Sequence, residues 1–500
     1  MTAVKLVRSA ILAALLGFVA MGAASAATPN VVVFLADDLG WGDVRANNPA
    51  SRIPTPNLDR LAREGMRFTN AHTSAAKCAP SRYSILTGNY QWRGRWPWGA
   101  WQFYWESQIR PGQMTVGDIL QRAGYRTGFV GKLHMGGDFF ALGSNTITRS
   151  SANVDFGRPF GNGPLARGFN YSFTMLEGMH DWPYAYFEND RLVGDARDLR
   201  MWNAGTYGDS VILLSGQGMP YWDTSRIGPD LMAKAIGFID THRAGPDRER
   251  PFFLFYSAQS AHEPFTPPAT FDGIPVRGAT GMCARQDMVY EVDVAVGRLH
   301  EALRTRGLLR DTLIVFTSDN GGLDYCGHDS SGPNMSGYKG QILEGGHRVP
   351  LIVKWGETGA FTVPPRSVRN QLVGTQDLAA TLAAITGVDL DATQARDSFD
   401  LSQVWLGARR DGPPVRSHLI AESRDLDATT RIPSTFASIE GPWKLVAQVS
   451  GTGHAVQALY DLKSDPRELT NLKDDPAQAS RVRNMLKRFQ QRFASTRTAP

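Results

Sequence analysis

The sequence has no polybasic block. Its 53 basic and 48 acidic residues leave a formal charge of +5, spread along the chain, which excludes the phosphate-gripping stripe of a nucleic-acid-binding protein. The mild excess still suits an anionic substrate. No internal repeat is present. Beyond its first residues the chain also lacks any uncharged apolar run near the ~20 residues a bilayer span needs, so no permanent membrane anchor is expected. Cysteine is scarce: Cys78, Cys283 and Cys326 are an odd number, awkward in an oxidising compartment, and on spacing alone any two could pair while the third is buried. Hydrophobic residues at 42% and charged residues at 20% exclude a disordered or fibrous chain. With 500 residues, one large domain with a smaller companion, or two comparable domains, is expected.

The first 26 residues read as a signal peptide. Lys5 and Arg8 precede the apolar run Ala10 to Met21, and Ala24-Ser25-Ala26 supplies the small-x-small pattern of a cleavage site. Cleavage after Ala26 would remove Lys5 and Arg8 and lower the formal charge from +5 to +3. An exported protein, periplasmic or secreted, is expected.

Val31 to Ala36 is a continuous apolar run, too short for a helix and rich in β-branched residues, as in a strand covered on both faces. It stops at Asp37-Asp38. Thr312 to Thr317 repeats the design and stops at Ser318-Asp319-Asn320-Gly321-Gly322. Ligands of open parallel sheets bind beyond the strands' carboxyl ends, so the two acidic tips could meet at one site. Two further strands are expected, Pro251 to Tyr256 running toward Ser260-Ala261-His262, and Gly128 to Val130 running into Gly131-Lys132-Leu133-His134. Helical spacing over Thr55–Gly65 and Met288–Arg306 alternates with them, which predicts an α/β fold with a large, mostly parallel sheet between helices. The main domain is placed at 27–388. Residues 389–500 read as a smaller α+β domain: short strands at Ser417–Glu422, Ala437–Ile439, Trp443–Val449 and Leu459–Leu462 form a short antiparallel sheet, and Pro476–Phe493 is a closing helix. The Gly/Ser/Asn-rich segment Gly143–Asn170 reads as a long surface loop.

In Cys78-Ala79-Pro80-Ser81-Arg82, followed by Leu86-Thr87-Gly88, Pro80 suits a first helical turn and Gly88 a helix stop, which sets Cys78 just ahead of a helix N-terminus. Unpaired N–H groups there favour an anion or a developing oxyanion. An ordinary thiol at a helix start fits the same residues. The segment resembles the C-x-P-S-R signature of the type I sulfatases, of the alkaline phosphatase superfamily. Further blocks of that family stand in order: Asp37-Asp38-Leu39-Gly40-Trp41-Gly42-Asp43, Gly131-Lys132-Leu133-His134, Ser260-Ala261-His262, Ser318 to Gly322, and Tyr338-Lys339-Gly340 with Glu344-Gly345-Gly346. Leu133 stands where the family often carries tryptophan. The resemblance runs from about residue 28 to 500, and Leu459-Tyr460-Asp461-Leu462 matches the family's C-terminal domain.

This resemblance implies hydrolysis of sulfate esters to an alcohol and inorganic sulfate. It implies that a maturation enzyme oxidises Cys78 to formylglycine before folding. Its hydrate supplies the nucleophile, since one hydroxyl attacks sulfur and the other expels sulfate, an exit that a serine ester lacks. One divalent cation is implied, Ca²⁺ ahead of Mg²⁺, held by Asp37, Asp38, Asp319, Asn320 and residue 78; hard carboxylate and amide oxygens suit either ion. Arg82 holds the formylglycine, Lys132 and Lys339 neutralise sulfate, His262 or Lys339 acts as general acid, and His134 as base. Asp43 could support the acidic loop without ligating the cation. With Cys78 modified, Cys283 and Cys326 are left to pair.

The substrate is less legible. Tyr90–Trp105 carries Trp92, Trp96, Trp98, Trp101 and Trp105 with Arg93 and Arg95, rings and guanidiniums that could hold a sulfated sugar or aryl group or pack on the scaffold. His180, Asp181 and the loop Gly143–Asn170 are further pocket candidates. Tyr184 to Asp190 resembles bacterial relatives of N-acetylgalactosamine-6-sulfatase and arylsulfatase A. Two rival readings share the scaffold: a phosphonate or phosphate ester hydrolase, and a catalytically silent protein that binds sulfated glycans.

Overall fold

The apolar run Val31 to Ala36 lies in strand β1, Asn30–Ala36, inside a ten-stranded sheet. The computed structural model describes residues 28–96, 99–356, 363–407, 413–423, 435–450 and 453–500. The expected signal peptide and Trp98 lie outside the described residues. In chain order the sheet's other strands are β2 Met66–Phe68, β3 Arg126–Lys132, β4 Tyr171–Met175, β5 Phe187–Glu188, β6 Arg191–Leu192, β7 Phe252–Ser257, β8 Thr312–Ser318, β9 Leu351–Trp355 and β10 Ser367–Arg369. They lie side by side as β10-β2-β9-β8-β1-β7-β3-β4-β5-β6. Strands β8, β1, β7, β3 and β4 are parallel, while β9 and the β5-β6 hairpin run against their neighbours.

Strand periodicity sends alternate β1 side chains into two cores. Val31, Val33 and Leu35 face one with Ala79, Tyr83 and Leu86 of the Cys78–Thr87 helix and Leu378 and Leu382 of the Leu378–Thr386 helix. Val32 and Phe34 face the other, covered by helices Pro56–Glu64, Ile227–Ala244 and Ala284–Thr305. Each such side chain stabilises the fold by ~1.5–3 kcal/mol. Register sets the ends level: Ala36 pairs with Ser318, and Leu35 with Ser257. Segment Gly143–Asn170 is largely the surface loop expected, with buried anchors. Its Phe156 and Phe160 are buried, with Phe160 stacked 5.0 Å from Phe139, because apolar rings among its glycines gain more from the core than from solvent. Among the described residues no helix is long and apolar enough to cross a membrane.

The smaller domain is a four-stranded antiparallel sheet, β11 Leu419–Glu422, β12 Thr435–Glu440, β13 Trp443–Ser450 and β14 Gly453–Asp461. The Ala479–Ala494 helix buries Met485 and Phe489 against it. Trp92 and Arg93, expected at the substrate, belong to this junction instead. Trp92 stacks on Tyr90 at 4.4 Å and packs on Phe436 and Phe493. Arg93 donates to both Asp397 oxygens, at 2.6 and 2.9 Å. The left-handed turn at Gly88 (φ 69°) ends the preceding helix and sends this segment toward the second domain. Cys283 and Cys326 are joined by a disulfide, with Cα atoms 6.3 Å apart.

A polar cluster also ties the domains. Buried Lys444 on β13 donates to Glu344 at 3.2 Å and to His347 Nε2 at 3.1 Å. His347 Nδ1 lies 3.1 Å from His72 Nδ1, and His72 Nε2 lies 2.8 Å from the Asn70 side-chain oxygen. That amide oxygen only accepts, so His72 carries its proton on Nε2 and accepts at Nδ1. Burial, partly offset by Glu344, takes His72 down to about 3, and burial with Lys444 holds His347 well below its usual value. In the unfolded chain both titrate near ~6.5, so below that pH the unfolded state takes up protons that the folded state refuses. Stability is therefore expected to fall with acid, from about pH 6.5 toward about 3, by up to ~1.4 kcal/mol per pH unit per histidine. Urea midpoints at several pH values measure this, and His72→Asn should flatten the slope. A midpoint that does not move between about pH 6.5 and about pH 5 would mean the histidines are already charged in the fold.

Candidate active site

Because β1 and β8 are neighbours in register, their acidic tips converge. The Asp319 N–H donates to Ala36 O at 3.1 Å, and the Asp38 N–H donates to Asp319 Oδ1 at 3.2 Å. Asp38 takes the left-handed backbone (φ 58°), a strained choice of ~1–3 kcal/mol typical of functional positions. Asp37, Asp38, Asp319 and Asn320 are all buried. Three cations from distant segments answer them. Arg82 Nε donates to Asp319 Oδ2 at 2.9 Å, Lys132 Nζ to Asp37 Oδ2 at 2.6 Å and Lys339 Nζ to Asp38 Oδ2 at 2.7 Å. Burial opposes charge on Asp37, but Lys132 and Arg82 hold its carboxyl well below the usual range. Burial and then the Asp37 charge push Asp319 well above it.

The Asn320 amide nitrogen donates to Asp38 Oδ1 at 2.8 Å, which turns its oxygen the other way. That oxygen and Asp37 Oδ1 are buried and accept no hydrogen bond. Bare buried oxygens are unfavourable unless a cation takes them as ligands. The residues present therefore fit one hard divalent cation. Asp43 supports the loop from outside. Arg285 donates to its two carboxylate oxygens at 2.9 and 2.7 Å and to Asp38 O at 3.0 Å, and His328 Nε2 lies 2.8 Å from Asp43 Oδ1. Neither Arg285 nor His328 stands in a sequence block that marks it.

Cys78 is the first residue of its helix rather than the residue ahead of it. Its Sγ lies 3.5 Å from His134 Nδ1. His134 follows Gly131, where φ is 117° and an added Cβ would sit 1.8 Å from Ser257 O, so only glycine lets β3 close on β7 there. Ser257 Oγ in turn accepts from Arg82 and donates to Lys132 O at 2.7 Å. Burial, then Lys132 and Arg82, press His134 well below its ordinary value. His262 Nδ1 donates to Glu263 O at 2.8 Å, which leaves Nε2 facing Asp38 at 3.8 Å. Burial, then Lys339 and Lys132, lower His262 likewise. Of the pocket candidates, His180 arrives, stacked 4.7 Å from His262 and lowered to about 3 by burial and Lys132. Asp181 follows it, its carboxyl raised by burial.

Arg95 and Trp96, expected at the substrate, have scaffold partners instead. Arg95 pairs with Glu106 at 3.0 Å and donates to Ser107 O, while the Trp96 backbone is held by the Gln108 amide. Buried Gln108 fixes this segment as a folded turn, and the Trp96 ring packs against the core. The residue that sequence reasoning missed is Glu177. It lies just past the β4 end, and its Oε2 stands 3.3 Å from His134 Nε2. Burial and then Asp181 push its carboxyl well above the usual range, and the contact turns the ring so that Nδ1 faces Cys78. The strand-end rule that found Asp37 would have reached Glu177, had the alternation of Ser172 and Thr174 not hidden β4. Glu177→Leu, which cannot hydrogen-bond, is expected to slow the anticipated sulfate-ester turnover about tenfold to a hundredfold without lowering the thermal midpoint, and Glu177→Gln should restore part of the rate. Wild-type turnover in Glu177→Leu would remove Glu177 from the site.

Comparison with known proteins agrees with this geometry. The sulfatase family model matches residues 29–388, and that of the N-sulphoglucosamine sulphohydrolase C-terminal region matches 338–495. The chain is 28% identical to an N-acetylgalactosamine-6-O-sulfatase of Bacteroides thetaiotaomicron, over 89% of each protein. It is 30% identical to human arylsulfatase A, over 91% of this chain and 85% of that one. A solved B. thetaiotaomicron structure, described with the metabolism of multiple glycosaminoglycans, superposes with a TM-score of 0.76 at 27% identity, over 93% of this chain and 99% of that one. With its two acid-ended strands, its C-x-P-S-R helix and a family match across most of its length, the chain belongs to the sulfatases, the hydrolases of sulfuric esters.

Proposed function

We propose that this sulfatase removes sulfate from a sugar, with residue 78, as formylglycine, at the reacting centre. The observation that carries the reading is the convergence of Arg82, Lys132, Lys339 and His262 on the acids Asp37, Asp38 and Asp319, with His134 against Cys78. A sulfated sugar is favoured because the relatives reported above include an N-acetylgalactosamine-6-O-sulfatase. We further propose export through cleavage after Ala26, maturation by a formylglycine-generating enzyme before folding, and a division of the chain at 27–388 and 389–500.

A divalent cation held by Asp37, Asp38, Asp319, Asn320 and residue 78 would supply Lewis-acid charge, and formylglycine hydrate a hydroxyl nucleophile. The chain's own groups do the rest. Arg82, pinned by Asp319 and Ser257, orients residue 78. Burial disfavours charge on Lys339, but Asp38 keeps its pKa above the ordinary value, so Lys339 stays charged and with Lys132 offsets the sulfate oxygens. His262 presents an unprotonated Nε2 at rest. An arriving sulfate ester brings negative charge beside it and raises its proton affinity, so that Nε2 can protonate the departing alcohol oxygen. His134, held by Glu177, takes a proton at residue 78 as sulfate leaves.

A phosphate ester hydrolase of the same scaffold commonly binds two metals. Among the described residues the other cluster that could hold a metal is His72, Glu344 and His347, where the Lys444 ammonium already sits. In protein made in an exporting host with its maturation system, the tryptic peptide beginning at residue 78 is expected to be about 18 Da lighter than the cysteine form. Aryl sulfate turnover should track that fraction, exceed aryl phosphate turnover by about a hundredfold or more, and vanish in Cys78→Ala. Full activity with unmodified Cys78 would overturn the mechanism, and a faster rate on phosphate would overturn the substrate class.

A further inference from the structure

Several arginines in this protein are paired with acids. Arg285 and Arg416 are buried against Asp43 and Asp377, and even the exposed Arg197, Arg277 and Arg304 lie on carboxylates. Four that are not paired stand together. Arg45, Arg63, Arg67 and Arg366 line one surface cavity of about 430 Å³. Among the described residues none of them has a carboxylate at salt-bridge distance. The one acid in that lining, Asp59, spends its Oδ1 on the Ala46 N–H and the Thr55 hydroxyl. Arg67 is half-buried with only the Asn47 side-chain oxygen near it, at 3.4 Å. Arg366 takes the left-handed backbone, φ 55°, and its N–H donates to Arg63 O at 3.1 Å, a link that holds two like charges side by side.

The cavity does not end there. Arg67 and Pro49 also line a second cavity of about 530 Å³ that holds Arg348, Lys463 and the Trp41 side chain, and Arg348 and Lys463 continue into a third of about 570 Å³ at the edge of the C-terminal domain. Together they form one groove that carries Arg45, Arg63, Arg366, Arg67, Arg348 and Lys463 in succession. None of its lining residues is among the groups that surround Cys78. Arg348 is already paired with Glu344 at 3.2 Å, but Arg45, Arg63, Arg67 and Arg366, clustered without acid partners, repel one another unless an anion lies among them, and guanidinium forks match sulfate oxygens two at a time. Three joined cavities call for a long anion rather than a single sulfate ion, and Trp41 lines the middle one. A nucleic acid is the weaker match, since the +5 charge of the chain is far below what such proteins carry.

We propose that this groove is a second binding site, separate from the active site, for a sulfated oligosaccharide. It rests on the reading of the substrate as a sulfated sugar, and its role is to hold a polymer by sulfates remote from the ester being cut. The test uses the full mature chain with Cys78→Ala, so that no sulfate is released, and a chondroitin 6-sulfate octasaccharide as the calorimetric probe. Arg45→Ser/Arg63→Ser/Arg366→Ser is expected to weaken octasaccharide binding about tenfold. The same three positions as lysine should keep most of the affinity, and raised salt should reduce it. In active enzyme the triple serine variant should keep its aryl sulfate kcat/KM within about twofold, and lose rate only on the octasaccharide. Arg366→Glu alone gives an independent reading should the triple variant fold poorly. Unchanged octasaccharide affinity in both variants, equal binding of unsulfated chondroitin, or tighter binding of a DNA duplex would each overturn the proposal. Octasaccharide binding that depends on these arginines, in an enzyme that desulfates no sugar, would count against the proposed substrate and leave the groove standing.

Discussion

Negative charge brought together without water is the constraint around which this molecule is organised. Strand register places Asp37 and Asp38 against Asp319 at the buried ends of β1 and β8. Two unit charges 4 Å apart repel by about 4 kcal/mol even at an effective dielectric of about 20, and burial adds several kcal/mol for each uncompensated ion. A fold of ordinary marginal stability cannot carry that alone. Arg82 comes from the Cys78 helix, Lys132 from the end of β3 and Lys339 from a glycine-rich loop, and each ends on one of the three carboxylates. Even so, Asp37 Oδ1 and the Asn320 oxygen keep no donor. The positions of the helix, the β3 tip and the loop all follow from the need to neutralise one place.

The same arrangement suits a sulfate ester. A site crowded with cations and short of water binds an anion strongly and stabilises charge that develops on its oxygens. It also keeps histidines neutral, as the depressed His134, His262 and His180 show. A neutral histidine beside a cationic cluster is poised to pick up a proton only when anionic substrate arrives, which couples acid catalysis to occupancy. Glu177 gives His134 a fixed orientation from behind, as Arg285 and His328 do for the Asp43 loop. The disulfide of Cys283 with Cys326 closes the chain on either side of that support.

What could be read in the sequence was whatever depends on local order. A doubly buried strand that stops at two acids announces both its place in a parallel sheet and the chemistry at its tip, so β1, β8 and their acids were legible. The C-x-P-S-R segment was legible because its proline and glycine mark both ends of a helix. Aromatic density was a poor guide. Trp92 and Arg93 look the same in sequence whether they face a pocket or a neighbouring domain, and only the turn at Gly88 decides for Phe436 and Asp397. Glu177 was hidden because a single glutamate after a strand with polar alternation has no local mark. The basic groove was hidden for a different reason: Arg45, Arg63, Arg67 and Arg366 sit on three segments, each an ordinary surface charge until the fold gathers them.

The central claim is that the acidic tips are a cation site and not merely a salt-bridge network. Metal analysis of the purified, chelator-free protein tests it most directly. About one Ca²⁺ or Mg²⁺ per chain is expected, lost in Asp37→Asn or Asp319→Asn and on exposure to EDTA, with a fall in thermal midpoint that added Ca²⁺ reverses. A protein that carries no divalent ion and whose midpoint ignores both EDTA and Ca²⁺ would mean that Arg82, Lys132 and Lys339 balance these carboxylates by themselves.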